Sequence, residues 1–210
     1  MFHGRSAHSS LTPEGVNAIE YAARSVVGIR GLADGRRTDG PFDHAYRVPW
    51  TTVSVNIVEG GIATNTVPEL CRVAYDFRTI AGDDPQAVID QITAEGRRLE
   101  AEMKAEHPDA WLEVNVRAQV PSLESSPDGP AYTLAVELGG SPSPDKVTYG
   151  TEAGQFANAG IDAVVCGPGD IAQAHAADEY VELAQIEACE RLVDALIARL
   201  TTTDTDTRGA

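Results

Sequence analysis

Basic residues are scarce in this sequence, and their scarcity excludes several classes of function. Lysine and arginine number 16 against 32 aspartates and glutamates, which gives a formal net charge of −16. A protein that binds nucleic acid or an anionic membrane surface needs a basic face to meet the phosphates. We therefore expect neither partner, and we interpret the acidity as a solvated surface.

Cysteines and long apolar runs are also few. Cys71, Cys166 and Cys189 lie far apart and lack the close spacing of a metal-binding knuckle. Such scattered cysteines indicate reduced thiols in the core of a cytoplasmic protein. No apolar run approaches the length of a membrane span, and no signal peptide precedes the first motif.

Residues 1–120 carry most of the pattern of a split β-α-β-β-α-β sandwich of the ferredoxin-like kind. At most seven residues precede His8 where the first strand belongs, which suggests that the sequence begins late. Apolar periodicity, caps and glycines define the other elements. They are a helix from Thr12-Pro13-Glu14 to about Gly31, a loop from Gly35 to Trp50, strands over 53–57 and 71–77, a helix from Asp84-Pro85, and a strand over 112–116.

Beyond residue 120 the pattern changes to alternating strands and helices, which is typical of a parallel sheet flanked by helices. Two strands are too few for such a sheet, so this part resembles half of a domain. The segment 201–210 is low in complexity and is predicted to be disordered. The other predicted elements are a short helix over 132–138, strands over 146–149 and 163–166, a helix over 152–159, and a long helix from about Tyr180.

Two glycine-containing loops follow the predicted strands of this second part, at Gly150-Thr151 and at Gly167-Pro168-Gly169. In open α/β sheets, ligands bind outside the carboxyl ends of strands, and glycine lets the backbone approach them. His175 lies on the second loop. A lone histidine is more often a surface or structural residue than a metal ligand, so the spacing alone leaves both interpretations open.

Other candidate residues each have a plain interpretation beside a functional one. Taken alone, His8 is a polar loop residue, and Asn65 is a turn former. Arg78 could bind a carboxylate bidentately, although such an arginine is more often a solvated strand residue. His107-Pro108-Asp109 has the His-x-Asp spacing of some metal sites, but the proline after a helix favours a turn. The sequence contains no Glu-Glu pair, dinucleotide fingerprint or phosphate-binding loop.

Four motifs, taken together, identify a family. The sequence resembles the acetylornithine deacetylase branch of the dinuclear zinc amidohydrolase and exopeptidase family, over nearly the whole chain to about Leu200. The resemblance implies a dimerising lid over 1–120 and the C-terminal half of an α/β metallopeptidase-type catalytic domain over 121–200. The motifs are GRSAHSSLTPEGVNAIEYAA, GGIATNTVPELCRVAYDFR, YGTEAGQFANAGI and VVCGPGDIAQAHAADEYV, in this order.

The same resemblance implies a reaction and its partners. The reaction is metal-dependent removal of the N-acyl group from a small N-acylated amino acid, with acetylornithine giving ornithine and acetate. His175 would be the last ligand of a site that holds two zinc or cobalt ions. Gly150 and Thr151 would line the substrate pocket, and Arg78 would hold the substrate carboxylate.

The lid residues of the family act across a homodimer. By resemblance, His8 and Asn65 would reach the active site of the partner subunit, where the histidine steadies the oxyanion of the tetrahedral intermediate. The family's other ligands and its glutamate base are absent from this sequence, so we expect the chain alone to be inactive. A desuccinylase, an aminoacylase and a non-catalytic dimerisation module stay open as alternatives.

Overall fold

A computed structural model of the chain describes residues 1–206, with side chains described for 1–201. The chain forms two compact units. The first contains Met1–Ser122 and Asp145–Gly150, and the second contains Leu123–Pro144 and the residues from Thr151 onward. No helix within the described residues is both long and apolar enough to cross a membrane.

The first unit is built on a four-stranded antiparallel sheet with the strand order β3-β5-β1-β6. This order completes the split β-α-β-β-α-β sandwich, so the predicted lid fold is confirmed. The front strand is present after all, because two residues are enough to pair with β5 on one side and β6 on the other. The strands are β1 (Phe2–His3), β2 (Ala7–His8), β3 (Thr52–Gly60), β4 (Thr66–Val67), β5 (Leu70–Arg78) and β6 (Trp111–Leu112).

Two 22-residue helices, α1 (Ala18–Asp39) and α2 (Pro85–Glu106), pack against one face of this sheet. Asp84 caps α2 by accepting the backbone N–H of Gln86, with Pro85 in the first turn, as predicted. The predicted start of the first helix is wrong. Residues Ser9–Glu14 form a 3-10 helix, and α1 begins only after Asn17, whose side chain accepts from Ile19 and Glu20.

The predicted end of the first helix is also wrong. The helix continues through Gly31 and Gly35 and ends at Gly40, whose φ of +78° turns the chain. The predicted loop therefore begins about five residues later than expected. Ile29, only 4% exposed, packs with Val88 and Ile92 of α2, and this contact outweighs the poor helix propensity of the glycines.

The core of the first unit lies between the helices and the sheet. Phe2 pairs in register with Cys71 and Leu112, and the three side chains meet Leu99 and Met103 of α2. A second cluster joins the helices to β3 and β5. Its members are Ile29, Val88 and Ile92, with Leu32, Val53, Val55, Tyr75 and Phe77 packed against them.

Glu100 is a buried charge that ties α2 to β6. Its Oε1 accepts from Lys104 at 2.9 Å and from the backbone N–H of Leu112 at 3.3 Å. Its Oε2 accepts from Arg97 at 2.6 Å. The residue is 8% exposed, and its carboxylate satisfies the buried N–H of Leu112 while pairing with two cations whose side chains reach the solvent.

Up to residue 206, the second unit contains three helices, α3 (Pro130–Glu137), α4 (Ala153–Asn158) and α5 (Leu183–Asp206), and a 3-10 turn at Ile171–Gln173. The three helices lie close to their predicted positions. The strands predicted over 146–149 and 163–166 do not form in the described part of the chain. A parallel strand needs hydrogen-bonding neighbours, and Lys146, which belongs to the first unit, forms an isolated bridge with Tyr46.

Three smaller predictions are also tested by the structure. α5 runs to Asp206, and the Thr201 hydroxyl donates to the carbonyl of Ile197, so 201–206 are helical rather than disordered. Residues 207–210 of the predicted tail lie outside the described residues.

Cys71 is buried and Cys189 half-buried, but Cys166 is exposed and is not a core thiol. The strand predicted over 112–116 corresponds to β6, which ends at Leu112 because its partner β1 has only two residues.

Candidate functional site

A two-stranded antiparallel ribbon, β2 with β4, brings together two residues that lie far apart in sequence. His8 pairs in register with Thr66, and the backbone N–H of Ser9 donates to the carbonyl of Asn65 at 3.0 Å. Both side chains are exposed. The ribbon therefore brings the backbones of His8 and Asn65 close together, and each residue carries a side chain that can donate hydrogen bonds.

The imidazole of His8 is oriented by the turn that follows it. His8 is the N-cap of the 3-10 helix, and its Nδ1 accepts the backbone N–H of Ser10 at 3.2 Å. The hydroxyl of Ser10 also lies 2.8 Å from Nδ1. A backbone N–H can only donate, so Nδ1 carries a lone pair and the proton of the neutral ring lies on Nε2. His8 thus offers Nε2–H to another partner.

Arg78 lies at the other end of the first unit's sheet. It closes β5, whose first residue, Leu70, lies roughly 26 Å away at about 3.3 Å per residue. Its Nε donates to Asp76 at 2.8 Å, and half of the side chain is exposed. Within one chain, the structure does not bring Arg78 to the His8 and Asn65 ribbon.

Gly150 and Thr151 are consecutive but fall in different compact units. A Cβ built on Gly150 would approach Val120 to 3.3 Å, so only a very small residue fits there without a shift. Thr151 accepts the backbone N–H of Ala153 at 3.3 Å. Thr151 also lines an open cleft of about 460 Å³ in the second unit, together with Phe156, Ile161 and Asp162.

His175 lies on the exposed loop before α5, in a left-handed backbone conformation with φ of +58°. Its backbone N–H donates to Glu179 Oε2 at 3.0 Å, and Asp178 between them has φ of +59°. Non-glycine residues in this region are strained, and such strain clusters at functional loops. Sequence reasoning missed Glu179, although an acid four residues after the loop histidine was a visible signal.

The residues that could hold a metal do not complete a site. Among the described residues, no group of three histidine, cysteine, aspartate or glutamate side chains could hold a metal ion. A catalytic zinc needs about three protein ligands. His107, the histidine of the other His-x-Asp sequence, closes α2 in a turn, as predicted. The predicted dinuclear centre is therefore not formed by residues 1–206 alone, and His175 fits at most one ligand position.

Ser10 is the second functional residue that sequence reasoning missed. Helix starts are usually capped by the side chain of Ser, Thr, Asn or Asp, whereas here a histidine accepts the backbone N–H two residues later. The pattern was hidden here because Thr12-Pro13-Glu14 gave the stronger capping signal.

Comparisons with known proteins identify relatives of both units. Residues 1–104 match a family model described as a peptidase dimerisation domain. The chain is 31% identical over 196 residues to the acetylornithine deacetylase of Myxococcus xanthus, covering 93% of this chain and 50% of the relative. It is 31% identical to the acetylornithine deacetylase of Proteus mirabilis, covering 92% of this chain and 48% of the relative. The chain thus spans about half the length of the curated relatives it matches.

Solved structures show the same fold. Aminopeptidase PepT from Bacillus cereus aligns with a TM-score of 0.67 and 22% identity, over 93% of this chain and 49% of that one. A tripeptidase from Staphylococcus aureus aligns with a TM-score of 0.65 and 20% identity, over 93% and 48%. At this level of identity the two neighbours show the fold and leave the substrate open.

Proposed function

Because residues 1–104 belong to the peptidase dimerisation domain family and the chain resembles acetylornithine deacetylases, we propose that it is the C-terminal portion of a metal-dependent amidohydrolase. The proposed reaction is the removal of the acetyl group from N-acetylornithine, which gives ornithine and acetate. One observation carries the proposal beyond the family. The β2–β4 ribbon pairs His8 with Thr66, next to Asn65 in the chain, and the Ser10 N–H occupies Nδ1 and leaves the histidine Nε2–H available to a ligand.

We propose a distinct role for each site residue. His8 would donate to the substrate carbonyl oxygen as it becomes an oxyanion, which is typically among the larger contributions to catalysis. Asn65 would add a second polar contact. Arg78 would hold the substrate carboxylate through its guanidinium fork. These groups bind and orient the substrate, and none of them replaces the glutamate base that the family uses and this sequence lacks.

Residues from Gly150 onward would supply the remaining contacts. Gly150 and Thr151 would line the substrate pocket, where the glycine permits close approach of the backbone. Enzymes of this family are generally metal-dependent, and His175 would provide one ligand toward the proposed pair of zinc or cobalt ions. Its other ligands would come from the half of the relatives that this chain does not match. The proposed setting is the cytoplasm.

Dimerisation is supported by an exposed surface of the first unit. Ile19, Ala23, Val27 and Gly31 recur at four-residue spacing along the solvent side of α1, and Val27 is 71% exposed. Beside α1, β3 is an outer strand of the sheet, with Val58 51% exposed. An outer strand with apolar residues is a ready template for pairing with another chain. We propose that two copies of the chain pair through α1 and β3.

Replacing Val27 with glutamate is expected to weaken this dimer on the order of 100-fold, because symmetry places two uncompensated carboxylates in one interface. Sedimentation equilibrium at micromolar concentrations measures the change. Ala105→Glu, at an exposed position of α2, is the matched control and should dimerise like the unmodified chain. A Val27→Glu variant that dimerises as tightly as this control would contradict the proposed surface.

The proposed activity is tested by ornithine release from N-acetylornithine with added zinc or cobalt. We expect no release by the chain alone, and release after co-expression with the segment encoded directly upstream. Turnover by the chain alone near the enzyme median, about 10 per second, would show that it needs no further ligands. N-succinylated and other N-acylated amino acids, assayed in parallel, distinguish a desuccinylase or an aminoacylase.

One observation favours a second function for the isolated chain. The described residues contain a dimerisation domain but no cluster that could hold a metal. A non-catalytic dimerisation module has these properties. It predicts that the chain dimerises normally and that co-expression with the upstream segment yields no metal-dependent hydrolysis.

A further inference from the structure

We propose that Ser10 is a positioning residue that fixes His8 in the Nε2–H tautomer, so that His8 serves only as a hydrogen-bond donor. The catalytic part of this inference rests on the proposed function of His8, whereas the tautomer follows from the geometry. Ser10 contacts Nδ1 twice, through its backbone N–H at 3.2 Å and through its hydroxyl at 2.8 Å.

The backbone contact decides the direction of the hydrogen bond. The first N–H groups of a helix have no partner within the helix and are satisfied by a cap. In this turn the cap is an imidazole instead of the usual hydroxyl or carboxylate, with His8 in extended conformation at φ −67° and ψ 142°. If Nδ1 were protonated, its N–H would point at the backbone N–H of Ser10, so two donors would face each other and the N–H of Ser10 would have no acceptor. The turn therefore selects the tautomer that leaves Nδ1 bare.

The turn itself is held in place on both sides. Before it, the backbone N–H of Ser9 donates to the carbonyl of Asn65 at 3.0 Å. After it, the hydroxyl of Thr12 donates to the carbonyl of Ser9 at 2.8 Å, and Gly15 N–H donates to the carbonyl of Thr12 at 3.0 Å. These bonds fix the direction of the Ser10 N–H, and this N–H in turn fixes the orientation of the His8 imidazole.

A fixed tautomer has a chemical consequence. A neutral imidazole with its proton on Nε2 can donate to an oxyanion, but that nitrogen has no lone pair with which to accept a proton from water. His8 would therefore stabilise the intermediate without acting as the base. Donor and base would be separate groups, as in sites that aim preorganised donors at developing charge.

The tautomer can be measured on the chain as it stands, with ¹⁵N-labelled histidine at about pH 8, above the ordinary histidine pKa of about 6.5. Long-range ¹H–¹⁵N correlation spectra report which ring nitrogen carries the proton. We expect Nε2 protonated and Nδ1 bare in the unmodified chain. Ser10→Asp keeps the backbone N–H but adds a carboxylate, whose charge-assisted bond from a protonated Nδ1 is stronger than the neutral bond from the N–H, so the Nδ1-protonated fraction should rise to a majority. Ser9→Ala is the control and should match the unmodified chain.

Two spectral outcomes overturn the inference: a proton on Nδ1 in the unmodified chain, or no change on Ser10→Asp substitution. In the active complex with the upstream segment, Ser10→Asp should lower kcat on the order of 100-fold, as loss of one oxyanion donor does, with KM nearly unchanged. Ser10→Ala keeps the backbone donor and should lose only a few-fold. If His8→Ala left the activity of the complex unchanged, the proposed role of His8 would be refuted. The tautomer would then be judged from the spectra alone.

Discussion

Replacing Glu100 with alanine is expected to lower the free energy of unfolding of the chain by about 2 kcal/mol, because the buried N–H of Leu112 is left without an acceptor. The truncation removes the acceptor of Arg97, Lys104 and the Leu112 N–H together, and leaves a void beneath β6. Urea denaturation followed by circular dichroism measures the loss.

The matched control is Glu95→Ala, which likewise removes a glutamate of α2. Glu95 pairs with Arg98, three residues later in the helix. The Glu95 side chain is 32% exposed and its pair with Arg98 lies at the surface, so its loss should cost less than about 1 kcal/mol. Equal effects of the two substitutions would show that Glu100 makes only surface interactions.

The same carboxylate predicts a dependence of stability on pH. Burial raises the pKa of Glu100, but hydrogen bonds from Arg97, Lys104 and the Leu112 N–H outweigh burial and hold its pKa at about 2, against the usual 4.5. A pKa depressed by folding contributes stability that is complete above the unfolded value and is lost as pH falls. The contribution, at most about 3 kcal/mol, should therefore fade between pH 4.5 and pH 2. Glu100→Gln should be less stable at neutral pH and should show a shallower decline in acid.

Local signals predicted most of the first unit. The alternation of Val53 and Val55 and the Asp84-Pro85 cap were each sufficient for an element, because burial on one face and capping act within a few residues. The run of α1 through Gly31 was not predictable in this way. It depends on packing of Ile29 against Val88 and Ile92, which are distant in sequence.

The strands predicted in the second unit failed for a related reason. Apolar runs such as Ala163–Cys166 indicate burial, but a parallel strand exists only beside another strand. Val165 is 48% exposed in the described chain.

The candidate site was found through family motifs rather than through physical signals. β2 and β4 are two residues each and carry no readable alternation, so the pairing of His8 with Thr66 could not be derived from periodicity. The left-handed conformation of His175 also has no signal in the sequence. A positive φ can be predicted mainly for glycine and asparagine, which adopt it readily.

Mixed dimers test where His8 acts. In the complex with the upstream segment, His8→Ala and His175→Ala should each lower kcat/KM on the order of 100-fold or more, by loss of an oxyanion donor and of a metal ligand. His175→Ala should also lose bound zinc, whereas His8→Ala should retain it. His175→Ala should leave the unfolding transition unchanged because its side chain is exposed, whereas His8→Ala should lower stability by about 1 kcal/mol at most through loss of the cap.

Mixing the two variants and allowing subunits to exchange should then restore roughly a quarter of the unmodified activity, because half of the dimers are mixed and each holds one intact site of two. Rescue follows only if His8 of one subunit serves the site that contains His175 of the other. If His8 served its own subunit, every site in the mixture would lack one of the two histidines and no activity would return. The roughly 26 Å of strand between Leu70 and Arg78 implies that His8 and Arg78 of one lid serve different sites, because one lid cannot bring both its ribbon and its arginine to a single small substrate.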